Sequence, residues 1–461
     1  MTIMINCLTN TMAIGNKIIL LCEGDTSKMF PFAIHELACQ MPVGNRSHLT
    51  SLIYTCKKYS KEIVVIAPKN DRLIAEVSAC EVQFIEKENN YLKQIYKVCE
   101  TDERVVIIKA ESVFSKIDLD MLFSKTENCI AIKHLEKYEN AMDHICVEVN
   151  QNTIVNFIGH PRVHYSTLKV CGFMILDRDV IRFFKDVGIG FHNINCGQMP
   201  IEKYFVEEAL QNYVEQGNQL NAIWIENDYD ELVFPWDIRK ANFNYCKNVV
   251  GNLNQSMIDD TASIDDSCLI EGNIIVGKNT IIRQNVIIEG NCIIGDHVII
   301  EKNAVIQKNC VIGSGSKIQY SCKVVDHTVI GSNNKIGFTA EVAGVTFDGV
   351  AAVHNCEVFG VIGRKVDIAA GVQMAVMKFD DSLTKQKVNG RYYANEYTNS
   401  IFIGDYVRTG INNIFYPGIK VGCKSALGPG LIVSEDVESE TLILVEQQKT
   451  IKPWGSNKYG W

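Results

Sequence analysis

From Ile258 to Val342 an isoleucine or valine returns at every sixth residue, through Ile264, Ile270, Val276, Ile282, Ile288 and onward, fifteen times without a miss. Four residues after most of these stands a small or β-branched side chain, as at Ala262, Cys268, Thr280, Val286, Cys292, Ala304, Cys310, Ser316, Cys322, Thr328 and Ala340. An α-helix turns about 100° per residue, so six steps leave a side chain well off its starting face. Period six excludes a helix. Short strands separated by turns do return each isoleucine to one interior column, and Gly277-Lys278-Asn279 has the required turn chemistry. Three strands close one triangular coil, and five such coils make a prism roughly 24 Å tall. The pattern predicts a parallel β-helix. It blurs between about Glu341 and Ser400, then resumes at Ile403-Gly404-Asp405-Tyr406-Val407 and runs to Val433. The interruption is an insertion, with Lys378-Phe379-Asp380-Asp381 and the polar stretch from Arg391 to Asn399 expected as a loop leaving the prism.

Upstream the texture changes. Ile18–Leu21, Ile63–Ile66 and Val105–Ile108 are apolar runs with amphipathic, helix-like segments between them. Such alternation predicts an α/β domain with a parallel sheet, whose ligands bind beyond the carboxyl ends of the strands. The expected organisation is an N-terminal extension over 1–14, an α/β domain over 15–250, a β-helix over 255–450 with a loop insertion at about 376–400, and a tail over 451–461.

Charge and cysteine content narrow the partners. A formal net charge of -9 with no basic stripe argues against nucleic acid. Seventeen cysteines without a C-x-x-C pair point to reduced thiols and a cytoplasmic protein. Cys268, Cys292, Cys310 and Cys322 hold the small interior position of their repeats and are expected in the core. The run Ile18-Ile19-Leu20-Leu21 is too short to span a bilayer, so no membrane role is expected.

The loop after the first apolar run reads Leu21-Cys22-Glu23-Gly24-Asp25-Thr26-Ser27-Lys28-Met29-Phe30-Pro31. It resembles the L-x-x-G-x-G-T-R-M-x-P signature of sugar-1-phosphate nucleotidylyltransferases, with Gly24, Ser27, Met29 and Pro31 in register and Lys28 in place of the arginine. Met41-Pro42-Val43-Gly44 is similar to the L-P-V-x-G segment of that family, and Cys171-Gly172-Phe173-Met174-Ile175-Leu176-Asp177 to its A-G-I-Y-V-F-D strand. Glu111 follows the third apolar run where the family has a metal-binding aspartate. Asp230-Glu231-Leu232-Val233-Phe234-Pro235-Trp236-Asp237-Ile238 resembles D-V-G-Y-P-W-D-L-L, with Glu231 at the second aspartate. Members with an appended left-handed β-helix include bifunctional enzymes that also acetylate a sugar phosphate.

The resemblance implies a Rossmann-like nucleotidyltransferase domain followed by a left-handed β-helix of hexapeptide repeats. It implies a reaction in which a sugar 1-phosphate attacks the α-phosphorus of a nucleoside triphosphate, giving an NDP-sugar and releasing pyrophosphate. Lys28 would be the catalytic cation, Gly24 and Ser27 phosphate contacts, Gly172 a sugar contact, and Glu111 and Glu231 the ligands of Mg²⁺. The β-helix would build a homotrimer or higher oligomer. Two departures open an alternative. Glu23 and Asp25 place acids in the phosphate cradle, and a like-charge contact at about 4 Å costs roughly 4 kcal/mol at an effective dielectric of about 20 if unshielded. Thr26 replaces the second glycine, a cost wherever φ must be positive. A non-catalytic protein that binds or assembles is the first rival. An acyltransferase of the β-helix using acetyl-CoA is the second, with His354 as its general base and His327 as the other candidate.

Overall fold

The computed structural model describes residues 16–32, 34–162, 165–192 and 202–459. Its amino-terminal unit contains β1 (Lys17–Leu21), β2 (Ile63–Ala67), β3 (Gln83–Glu86), β4 (Arg104–Lys109), β5 (Ser112–Phe114), β6 (Cys129–His134), β7 (Ile145–Asn150), β8 (Thr153–Gly159), β9 (Leu168–Asp177), β10 (Asn221–Trp224) and β11 (Tyr229–Glu231). Nine of them form one sheet in the order β3-β2-β1-β4-β9-β6-β10-β8-β7. β1 pairs in parallel with β2 and β4, and the three apolar runs of the sequence are these three strands. Apolar side chains on both faces are buried, because helices cover both sides.

The sheet is not wholly parallel, as the apolar runs alone implied. β9 lies antiparallel between β4 and β6, with Ile108 opposite Phe173 and Ile130 opposite Met174. It enters the sheet from the β7–β8 hairpin side rather than through a helical crossover, so nothing forces it to run parallel. β5 and β11 form a separate antiparallel pair beyond the end of β4.

A left-handed β-helix follows. Its strands stack in register eighteen residues apart: Ile264 on Ile282 on Ile300 on Ile318 on Ile336 along one face, and Ile270 on Ile288 on Ile306 on Val324 on Val342 along another. The period-six residues are its core, and Cys292, Cys310 and Cys322 lie buried among them. At the corners the chain turns through left-handed residues, asparagine more often than any other non-glycine type, such as Asn279 (φ 53°), Asn303 (61°) and Asn333 (56°). Asparagine tolerates this conformation better than most side chains.

The blurring after Glu341 has a geometric cause. Two coils contain sixteen residues rather than eighteen, so that Glu341 stacks on Glu357 and Ala351 on Asp367. One corner disappears from each, and single strands Glu341–Thr346 and Glu357–Ile362 run across it. Gly344 (φ 120°) and Gly360 (φ 138°) make the crossing. A Cβ on Gly344 would stand 2.1 Å from the carbonyl oxygen of Gly360, so only glycine fits.

The insertion also differs from the expected loop. Gln386–Val388 and Arg391–Tyr393 pair as an antiparallel hairpin. Its two-residue turn is Asn389-Gly390, with φ 48° and 80°, the pattern that matches strand twist.

The two units are fused by an apolar cluster. Trp236 and Ile238 of the helix Pro235–Tyr245 pack with Met29 and Phe32 against Val311, Val345, Val361 and Phe402 of the β-helix. Arg239 from the same helix lies over the Phe359 ring at 4.5 Å. Among the described residues no helix is long and apolar enough to cross a membrane.

Candidate functional site

The loop after β1 leaves the carboxyl edge of the sheet, where the strands end and backbone groups are free to meet a ligand. Gly24 there has φ 82°, and a Cβ would come 2.3 Å from Pro68, so the glycine is sterically required. Thr26 is not left-handed, so it carries no glycine-specific strain. The Ser27 N–H, expected to face phosphate, donates instead to Asp25 Oδ1 at 2.9 Å, and the Ser27 side chain is exposed. The base of the loop is tied to the β-helix, where Cys423 donates its thiol to the Pro31 carbonyl at 3.2 Å.

Glu23 has cationic neighbours that no local motif announces. Lys203 Nζ lies 3.0 Å from one of its carboxylate oxygens and Lys109 Nζ 4.0 Å from the other. Lys87 donates to the backbone carbonyls of Cys22 and Glu23 at 2.9 and 3.1 Å. Burial alone would raise the Glu23 carboxyl, but Lys203, Lys109 and Lys87 outweigh it and hold the group at about 2. The acid is therefore shielded, and the repulsion expected from its charge is largely cancelled. Lys109 is also paired with the buried Glu207 at 2.8 Å. Burial opposes its charge, yet Glu207 and Glu23 keep Lys109 firmly protonated.

Glu111 lies beneath this cluster. It accepts the Glu23 N–H at 2.9 Å through Oε1, while its buried Oε2 has no hydrogen-bond partner. Burial, then the nearby Glu23 charge, push its carboxyl up to about 7. Glu231, opposite Ser112 in the β5–β11 pair, is engaged differently: Tyr229 donates its hydroxyl to Oε1 at 2.5 Å, and His144 Nδ1 stands 3.9 Å from Oε2. Among the described residues no group of three or more His, Cys, Asp or Glu side chains is placed to hold a metal ion. The orphaned oxygen of Glu111 is nonetheless the kind of donor that suits a hard cation, which needs only one or two protein carboxylates when phosphates supply the rest.

Gly172 is buried within β9. Its N–H donates to the Tyr229 hydroxyl at 3.0 Å, and a Cβ would stand 2.1 Å from Ser112 Oγ. The glycine thus permits the close packing of β9 on β5.

Lys28 faces a cavity of about 370 Å³ whose wall also includes Glu231, Glu139 and Lys240 from the α/β unit and Tyr393 and Tyr397 from the β-helix insertion. Its ammonium lies 5.7 Å from the centre of the Phe234 ring, and among the described residues it makes no ion pair. Lys28 and Glu231 therefore share a cavity, Glu111 and Gly24 flank the lysine cluster, and His354 belongs to neither. His354 is exposed at a β-helix corner with φ 46°. His327 occupies a similar turn at φ 56°, its ring 4.6 Å from that of Phe243 and hydrogen bonded to Asn309. Both have the backbone conformation that asparagine holds at other corners. Sequence reasoning missed Lys87, Lys109, Lys203 and Tyr393. The first three lie far apart in the chain, whereas the Asn389-Gly390 turn was a local signal for the hairpin that carries the fourth.

Comparison with known proteins gives a consistent set of relatives. A family model described as the GMPPB C-terminal domain matches residues 252–347. The chain is 22% identical over 450 residues to the bifunctional protein GlmU of Methanococcus maripaludis, covering 94% of this chain and 98% of that one. It is 26% identical over 328 residues to a bifunctional sugar-1-phosphate nucleotidylyltransferase/acetyltransferase of Sulfurisphaera tokodaii, covering 69% and 74%. Among solved structures, a UDP-glucose pyrophosphorylase complexed with UDP-glucose aligns with TM-score 0.41 and 12% identity, covering 50% of this chain and 99% of that one. The chain is thus similar to bifunctional GlmU proteins over more than nine-tenths of its length, and to a named sugar-1-phosphate nucleotidylyltransferase/acetyltransferase over 69% of it.

Proposed function

We propose that this chain transfers a nucleotidyl group from a nucleoside triphosphate to a sugar 1-phosphate, forming an NDP-sugar and pyrophosphate. One observation carries the reading: Lys28 and Glu231 line the same cavity, and Lys28 makes no ion pair among the described residues. A cation without a carboxylate partner is available to an incoming phosphate. A phosphate oxygen of the sugar 1-phosphate attacks the α-phosphorus, the bond to the bridging oxygen breaks, and pyrophosphate leaves with the electron pair. Little covalent work falls to the protein. Lys28 offsets charge on the phosphates, and the cavity wall fixes the sugar in line for attack.

Mg²⁺ belongs to the same proposal, with Glu111 as its first protein ligand through the oxygen that has no partner and Glu231 as the second. The ion would supply charge neutralisation to the triphosphate. A homotrimer built through the β-helix and a cytoplasmic setting complete the reading.

The test is pyrophosphate release with a panel of sugar 1-phosphates, the four nucleoside triphosphates and Mg²⁺. Turnover reduced at least 100-fold in Lys28→Ala is the expected result. Silence across the panel rejects catalysis. A second reading, binding without turnover, is favoured by the Ser27 N–H being occupied by Asp25 and by Glu23 filling the cradle. It predicts equilibrium binding of the same ligands with no pyrophosphate.

A further inference from the structure

The hairpin Gln386–Tyr393 belongs to the β-helix in sequence but stands against the α/β unit. Gln386 roots it, donating Nε2 to the Gly418 carbonyl at 2.7 Å and the Thr398 carbonyl at 3.0 Å. At its far strand Arg391 pairs with Asp143 at 2.7 Å, and the Tyr393 hydroxyl donates to the same carboxylate at 3.2 Å. The Tyr393 ring lies 4.6 Å from that of Phe234 and 6.0 Å from that of Trp236. A solvated loop needs none of these contacts. The segment that follows, through Glu396 and Tyr397, completes the wall of the cavity that Lys28 enters.

The chemistry of that wall is specific. Aromatic rings at Phe234, Tyr393 and Tyr397 suit the C–H face of a sugar, while carboxylates at Glu231 and Glu396 accept from hydroxyls. Most of the other acids are already paired: Glu139 with Lys169, Asp143 with Arg391, and Asp230 with Lys240. Two lysines of the wall, Lys28 and Lys137, make no ion pair among the described residues and remain for a phosphate.

We propose that the β-helix insertion is the sugar-selecting wall of this cavity: Tyr393, Glu396 and Tyr397 contact the ring of a sugar phosphate, and Arg391 is a positioning residue that holds the hairpin on Asp143. The two units then share one binding site, and the β-helix takes part in recognition as well as assembly. This inference rests on the sugar-phosphate reading above.

Equilibrium titration separates the two. Glucose 1-phosphate, mannose 1-phosphate, glucosamine 1-phosphate and UTP are titrated into the full chain by calorimetry, without turnover. Tyr393→Ala is expected to weaken the preferred sugar phosphate at least tenfold and to flatten the ranking among the three, while UTP affinity stays within twofold. Arg391→Ala should weaken the same ligand, and Arg391→Lys should recover part of the loss. Tyr393→Phe, which removes only the hydroxyl, guards against misfolding and should lose less than Tyr393→Ala. Tyr392→Ala is the control, because that ring points to solvent and is 66% exposed. Equal affinities in Tyr393→Ala and Tyr392→Ala, with wild type binding a sugar phosphate, overturn the inference and spare the proposed function. Wild type binding none of the three sugar phosphates overturns both.

Discussion

The β-helix and the charged cradle after β1 solve opposite problems. In the β-helix each coil repeats the same two side-chain choices, and a residue meets its like eighteen positions away. In the cradle no position repeats: Glu23 meets Lys203 at a separation of 180 residues, and its charge is balanced by Lys109 and Lys87 as well. A repeated structure spreads stability over many equivalent contacts. A site assembled once concentrates it in a few charges, where one substitution changes sign and balance together.

That contrast can be broken experimentally. The largest expected effect is in the stack: Ile306→Ala empties one fully buried position of a column and should cost about 3 kcal/mol by denaturant unfolding. A loss below about 1 kcal/mol would mean that neighbouring coils collapse into the space. Next comes Glu111→Gln. The folded carboxyl sits at about 7 against an ordinary 4.5. Its neutral form is the one the fold prefers, so its contribution is full below 4.5 and is lost as pH rises through about 7. The amide should therefore add nothing near pH 4 and about 3 kcal/mol near pH 8. A gain independent of pH in thermal unfolding would count against the burial argument.

Gly344→Ala tests the shortened coils, where the added methyl meets a carbonyl oxygen and a left-handed backbone. A cost of about 2 kcal/mol is expected, and wild-type stability would show that the coil can relax. The smallest effect is Glu23→Gln, which frees Lys203 from its acid and removes the negative charge facing Lys87, while Lys109 stays on Glu207. Triphosphate affinity should rise about tenfold, close to 1.4 kcal/mol, and the gain should shrink in high salt. Unchanged UTP binding would show that these lysines serve the fold alone.

The sequence was legible where structure is written locally. Period six located the β-helix core, and three apolar runs located β1, β2 and β4, because strand periodicity and turn residues act over a few positions. The antiparallel course of β9 was not legible, since strand direction depends on how the β7–β8 side of the sheet closes. The two sixteen-residue coils hid behind a broken period, though Gly344 and Gly360 marked them. Glu23 and Lys28 could be singled out from the loop itself. The lysines that neutralise Glu23 could not, because Coulombic partners need proximity in space and leave no spacing rule behind. For the hairpin the signal was present in Asn389-Gly390, between strands too short to show alternation.

The insertion also fixes a length. Each whole coil raises the stack by about 4.8 Å, so adding or deleting one between the docked face at Val311 and the insertion at 376–400 would carry Tyr393 past Phe234 by more than a ring's thickness. Coils before the docking face or after Val433 face no such limit. The prism therefore works as a ruler with one calibrated interval, and natural variation in coil number should gather outside it.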